Sequence, residues 1–417
     1  MARVLINYVQ HNSPALEEAT ASEQRIRSEL AALEQHMQQH NPTLFAAITA
    51  PQPEPDVRTL YPLIPAKTLL IQYTYLDETL LIWGISQDGM QHSVVQTIDE
   101  RRLNYYFEQL LAELSRGQTA TRFIQEISHL LVEPFDHLLG TYTHLIIVPY
   151  GKGNTIPFSV LTWRKQPLIE THTITYLPSI IALQYLQRIQ IDQDDSALVV
   201  GNPTKMQWRQ EPLKPLHFAE QEARTIAQFG PSTLLLSNEA TVDAVVKQLS
   251  NHTIFHVATH GIIDARYPLL SGIALANGEM LHILNLLAMR VNLKLVVLSA
   301  CETGRGETTK SNDLISLAQG FLAAGVQTVV MTQWAINDAS TQALMEVFYT
   351  HLHAGASVAS ALRLAQLALG HYVPKPTQPA MPHLDPGNRM GSLDTDDAPT
   401  LSNAAPYHWA PFIVVGL

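Results

Sequence analysis

From His144 to Val415 the chain repeats one pattern: a short unbroken run of Val, Ile and Leu, then a stretch with helical spacing. The apolar runs are His144–Pro149, Ala197–Val200, Thr253–Ala258, Leu293–Ser299, Thr328–Thr332 and Phe412–Val415. Strands with one wet face alternate apolar and polar residues, whereas continuous runs belong to strands covered on both faces. Helical segments over His217–Phe229, Val242–Leu249, Asp313–Ala324, Ser340–Ala354 and Val358–Leu369 supply that cover. The alternation predicts an α/β/α sandwich with a mostly parallel central sheet, whose sites lie at the carboxyl ends of strands.

Upstream the pattern differs. Residues 1–50 read as an N-terminal helix, Pro14–His40, followed by a Pro-rich linker around Ala50–Asp56. Ser13 can cap the helix, Pro14 suits its first position, and Ile26, Leu30, Leu33 and Met37 form one apolar stripe. Residues 51–122 read as a small antiparallel β plus helical region. Its strands are Leu69–Tyr75, Thr79–Ile85 and Met90–Thr97, with Asp88-Gly89 as a hairpin turn. Helices are expected over Asp99–Arg116 and Thr119–Leu139. Residues 123–417 then form the main domain. Within it, Gly370–Pro406 carries seven prolines and little periodicity, and reads as a long mobile insertion.

Charge and cysteine content narrow the function classes. A formal charge of -11 argues against direct nucleic-acid binding, which calls for a basic patch or stripe. The single cysteine, Cys301, excludes internal disulfides and CxxC redox pairs and fits a reducing, cytoplasmic compartment. The uncharged stretch Leu314–Ile336 is long enough to span a bilayer. Gly320, Gly325 and three glutamines divide it into a small-residue helix and a β-rich strand, so no membrane association is expected.

Two strand ends carry chemistry. One reads Ile254-Phe-His-Val-Ala-Thr-His260-Gly261, with the strand running out just before His260. The other reads Lys294-Leu-Val-Val-Leu-Ser-Ala-Cys301, with the cysteine opening a Gly-containing loop. Neighbouring parallel strands lie about 4.8 Å apart, so side chains leaving their ends can face across a cleft. A thiolate attacking a carbonyl needs an imidazole to supply and remove protons, and Gly261 can turn its N–H toward a developing oxyanion. The competing reading for Cys301 is an inert buried thiol, and for His260 a structural histidine. His256, four residues before His260, has the spacing of a helical zinc pair. It stands in a strand, however, with no Glu in the motif, so it is expected to pack in or beside the sheet and no metal is expected.

These two segments, His256-Val-Ala-Thr-His260-Gly261 and Leu298-Ser-Ala-Cys301-Glu-Thr-Gly304, closely resemble the CHAT domain, a caspase- and separase-related group of cysteine peptidases of clan CD. Leu145–Gly151, Ile156–Leu161, Tyr176–Ser179, Val200–Pro203, Gly320–Gly325, Gln333-Trp334 and Tyr407–Gly416 resemble the same family, from about Phe123 to Leu417. The resemblance implies a caspase-like fold and a cysteine endopeptidase acting on a protein substrate, with Cys301 as nucleophile and His260 as general acid/base. It implies an oxyanion hole from the N–H groups of Gly261 and Cys301, no cofactor, and activation by a protein partner or ligand. Trp334 and Asp338 match positions lining the substrate pocket. Asp338 could equally cap the helix that starts near Ser340. The alternative function is a catalytically silent regulatory or scaffold module of the same fold.

Overall fold

The structure is a computed structural model. It describes residues 56–76, 78–191, 193–214, 216, 218–264, 268–289, 291–300, 313–334, 336, 338–371 and 405–417. The expected Pro14–His40 helix, the Cys301 loop and most of the Gly370–Pro406 insertion lie outside the described residues.

The strands are β1 (Thr68–Leu76), β2 (Thr79–Ser86), β3 (Gly89–Thr97), β4 (His144–Val148), β5 (Thr173–Tyr176), β6 (Ala197–Gly201) and β7 (Ser232–Leu236). They continue as β8 (Ile254–Ile262), β9 (Gly272–Ala274), β10 (Met280–His282), β11 (Leu293–Ala300), β12 (Val326–Thr332) and β13 (Phe412–Gly416). All join one sheet ordered β7-β6-β8-β11-β12-β13-β5-β4-β1-β2-β3, with β9 and β10 attached to β8. The longer helices are α1 (Glu100–Ser115), α2 (Thr121–Leu131), α3 (Ala219–Ile226), α4 (Val242–Leu249), α5 (Ile283–Met289), α6 (Asp313–Ala324), α7 (Asp338–His353) and α8 (Val358–His371).

The sheet consists of two parallel blocks laid head to tail. Strands β7, β6, β8, β11 and β12 run one way. β13 pairs antiparallel with β12 and parallel with β5, so β13, β5, β4 and β1 run the other way. β2 and β3 close that side as an antiparallel hairpin. Its turn at Asp88-Gly89 is as expected, with Gly89 at φ +111°. Because β1 pairs with β4, the hairpin strands extend the central sheet, and Val57–Leu417 forms one compact unit.

Helices cover both faces. α3, α7 and α8 pack together and against β6, β8, β11 and β13, while α5 and α6 pack on each other and α6 lies along β12. The chain leaves β6 through α3 to β7, then returns through α4 past β6 to β8. Right-handed crossovers put α3 and α4 on opposite faces, which makes the β6/β8 gap a switch point in the winding. The uncharged stretch expected to divide into helix and strand does so, as α6 and β12. Gly325 joins them at φ +110°, where a Cβ would come 2.0 Å from the Val291 carbonyl oxygen.

Two expectations need correction. The helix expected over Thr119–Leu139 ends at Leu131, and single turns at Glu133–Phe135 and Asp136–Leu139 follow. Pro134 has no N–H to give the preceding turn and its ring displaces the chain there. The strand through Phe255 does not stop before His260 but continues to Ile262, because Gly261 and Ile262 exchange parallel neighbours for antiparallel pairing with Ile273 and Gly272.

Candidate active site

β8 is buried along all nine residues, and the candidate residues His260 and Gly261 stand near its end. Ile254–Val257 pair in step with Leu295–Leu298 of β11, then the register slips, and His260 pairs with Ala300. Three residues of β8 therefore span the length of two on β11. Such a bulge re-aims the side chains beyond it. The slip brings His260 opposite the residue immediately before Cys301. Cys301 itself, and its side chain's approach to His260, fall outside the described residues.

His260 is fully buried, and its Nε2 lies 2.7 Å from the carbonyl oxygen of Lys214. A carbonyl can only accept, so Nε2 carries the hydrogen. In that tautomer Nδ1 is the basic nitrogen. Lys214 belongs to the connection between β6 and α3, at the switch point, so the winding of the sheet brings this carbonyl to the histidine. Sequence reasoning assigned no third group to the pair. A backbone carbonyl has no side-chain signature by which it could have been found.

The surrounding contacts fix the strand end. Thr259 donates through Oγ1 to the Ala274 carbonyl at 2.9 Å, and Ser299 donates to the Val257 carbonyl at 3.2 Å across the bulge. Gly261 is buried and in register with Ile273. Gly272, on the antiparallel neighbour, has no room for a side chain: a Cβ would lie 2.2 Å from the Leu281 carbonyl oxygen.

His256 packs behind the sheet. Its Nε2 lies 3.0 Å from Glu222 Oε1 on α3, and its Nδ1 lies 3.1 Å from the Tyr349 hydroxyl on α7. Burial, and then the nearby Glu222 carboxylate, push the Tyr349 phenol well above its ordinary pKa. It keeps its proton and can donate to Nδ1, leaving Nε2–H to donate to Glu222. All three groups are buried, and their hydrogen bonds tie both helices to β8 four residues before His260. Among the described residues no cluster of three or more His, Cys, Asp or Glu is placed to hold a metal ion. Nor is any helix among them long and apolar enough to cross a membrane.

Trp334, two residues past β12, is buried, and its indole N–H donates to the Tyr407 carbonyl at 3.2 Å. Beside it Gln333 donates from Nε2 to the Asn154 carbonyl at 3.2 Å. Asp338 is the first residue of α7, two residues earlier than the helix start expected near Ser340. Its side chain is outside the described residues.

A mostly parallel sheet between two helical layers, with a histidine at the switch point, defines a caspase-like α/β/α protein. The separase chain of a Saccharomyces cerevisiae separase–securin complex shares this fold, with a TM-score of 0.52 over 86% of this chain and 30% of its own, at 9% identity. A family model described as CHAT domain matches residues 121–417, and the chain belongs to the CHAT domain family. Two curated relatives are tetratricopeptide repeat protein 28 of Mus musculus, 24% identical over 288 residues, and of Homo sapiens, 23% identical over 276. Those matches cover 55% and 54% of this chain and 11% of each relative's length.

Proposed function

We propose that this chain is a cysteine endopeptidase in which Cys301 and His260 act as a dyad on a protein substrate. The observation that carries the reading is the β8 bulge. It sets His260 opposite Ala300, one residue before the thiol, while Lys214 fixes the tautomer that presents a basic Nδ1.

The chemistry follows from those roles. His260 takes the thiol proton, and the thiolate adds to the scissile carbonyl carbon to give a tetrahedral oxyanion. The N–H groups of Gly261 and Cys301 stabilise that oxyanion. Collapse breaks the C–N bond, His260 gives its proton to the leaving amine, and a thioester remains. Water, deprotonated by His260, then releases the acid and restores the thiol. Trp334 and Asp338 shape the pocket for the residue before the scissile bond. No cofactor enters any step.

The complete burial of His260 supports a resting state that a protein partner or ligand opens. The separase of the structural comparison is itself in complex with securin, which is in keeping with partner control in this fold. The same burial favours a second reading, a caspase-like scaffold that binds partners without cleaving them.

Covalent labelling of Cys301 by a peptidyl electrophile separates the two. Labelling should be faster in the native chain than in His260→Ala, by about 10²-fold or more, the usual weight of a positioned acid/base. Equal and slow labelling of both, at the rate of an unactivated thiol and with candidate partners present, would sink the endopeptidase reading.

A further inference from the structure

The central sheet has two outer strands, and they are finished differently. β7 is five residues long, and four of them are half-buried. β3 is nine residues long, and Gln91, Ser93, Val95 and Thr97 are exposed along it. Outer strands are ordinarily blunted by charge, proline or a bulge, because their free N–H and C=O groups recruit other chains. β3 reads Gly-Met-Gln-His-Ser-Val-Val-Gln-Thr, with no acid, lysine, arginine or proline. Its ladder with β2 slips once, at Gln91, and is in step from His92 to Thr97.

The ladder shows which main-chain groups face outward. The Ile98 N–H donates to the Glu78 carbonyl at 3.2 Å, so residues 78 and 98 form a hydrogen-bonded pair. Such pairs alternate along an antiparallel ladder, so Gln96, Val94 and His92 also turn their main-chain groups to β2. Ser93, Val95 and Thr97 turn theirs away from it, toward solvent. The side chains of these three share one open face, opposite that of His92, whose ring lies 5.6 Å from the Phe135 ring. Val95 is 71% exposed, more than any other large apolar residue among those described.

We infer that β3 is a self-pairing edge, which joins a second copy of this chain antiparallel across a two-fold axis at Val95. In that register Val95 faces its own counterpart, and Ser93 faces the counterpart of Thr97. Every outward N–H of one copy then meets an outward C=O of the other. Val–Val and Ser–Thr are favourable cross-strand neighbours, and the most exposed apolar side chain is covered by its twin. An axis one residue earlier sets Thr97 against the slipped Gln91, and one residue later sets Ser93 against Asp99, beyond the strand. The rim carries no charge, so a second copy meets no repulsion along it and a partner chosen by charge finds nothing to read. The contact is a single strand wide, smaller than a permanent interface, so it forms and dissolves with concentration. Because β3 belongs to the same sheet as β8 and β11, the pair carries both copies of the candidate site on one continuous sheet.

Sedimentation of the full chain between about 1 and 200 µM reads the assembly directly, and a dimer with a Kd on the order of 10 µM is expected. Val95→Pro removes an outward N–H that β2 does not use, and Val95→Lys sets two ammonium groups face to face. Each should weaken the dimer by about tenfold or more while the melting temperature holds. If Val95→Pro melts early, Val95→Lys carries the comparison, since it keeps the backbone and changes only an exposed side chain. Single cysteines on a Cys301→Ala background read the register. In Val95→Cys the two Cα atoms stand about 5.5 Å apart, and a disulfide should form under mild oxidation. In Gln91→Cys the thiol is also exposed, but its counterpart lies eight residues along, about 26 Å away, and no disulfide should form. A monomer at every concentration, a dimer indifferent to Val95→Lys, or equal cross-linking at both positions would overturn the inference. Uptake of an unrelated extended peptide by a chain that stays monomeric gives the edge to another occupant and overturns it as well.

Discussion

Replacing His256 by Leu tests whether the buried Glu222–His256–Tyr349 network holds α3 and α7 to the sheet. The substitution keeps the volume roughly constant but removes the donor 3.0 Å from the Glu222 carboxylate and the acceptor 3.1 Å from the Tyr349 hydroxyl. Leaving the buried Glu222 carboxylate without its donor costs more than the about 1–3 kcal/mol of an unsatisfied neutral group, and the stranded Tyr349 hydroxyl adds about 1–3 kcal/mol. Relaxation around the site recovers part of the sum, so a loss of about 4 kcal/mol is expected, a large fraction of a domain's stability. The triple variant Glu222→Leu/His256→Leu/Tyr349→Phe strands no polar group and should lie within about 2 kcal/mol of the parent. Urea titrations followed by the fluorescence of the buried Trp334 and Trp409 give both numbers. If His256→Leu costs less than about 1 kcal/mol, or the triple variant is worse than the single one, the network reasoning fails.

Three further outcomes are expected. Burial pushes the His144 imidazole down to about 4, between Thr68 Oγ1 at 3.3 Å and Thr175 Oγ1 at 3.0 Å. In the unfolded chain the same group titrates near 6.5, so between these values the unfolded state binds more protons and stability falls as pH is lowered. The contribution is intact above pH 6.5 and declines by up to about 3 kcal/mol toward pH 4. His144→Gln should flatten that part of the urea-midpoint profile, and an unchanged slope would assign it elsewhere. Gly355 and Gly325 both have positive φ, but a Cβ meets nothing at the first and the Val291 carbonyl at the second. Gly355→Ala should cost about 1–2 kcal/mol and Gly325→Ala clearly more, and equal melting temperatures would show that the backbone yields at Val291. Finally, Lys214→Ala removes a side chain but not the carbonyl that orients His260, so it should leave Cys301 labelling within about twofold of the parent. A loss comparable to that of His260→Ala would show that the side chain, not the carbonyl, acts there.

The fold was legible where burial on both faces wrote it into the chain. The Val-Val-Leu of β11 and the Phe-His-Val-Ala of β8 could be read as covered strands because nothing else tolerates such runs. The directions of the strands were not legible. Phe412–Val415 reads as a buried strand whichever way it runs, and its antiparallel pairing with β12 comes from the long return through α7 and α8. β7 escaped notice because Ser232–Leu236 is a half-buried edge, and β9 because three residues carry no period. At the site, His260 and Cys301 stood out as reactive side chains at strand ends. The bulge that sets His260 opposite Ala300 is a register slip, which composition does not record.

The position of β13 bears on how the domain comes to exist during synthesis. It lies at the middle of the sheet, between β12 and β5, yet it is the last described strand to leave a ribosome. Until then one half of the sheet ends at β12 and the other at β5, each with an apolar edge awaiting the same strand. Pairings of such long sequence separation form late and slowly, and exposed edges invite wrong partners meanwhile. The nascent protein therefore has to survive as two unjoined halves, and a ribosome stalled anywhere before Phe412 would hold a chain whose His260 and Cys301 segments are already made but whose core cannot close.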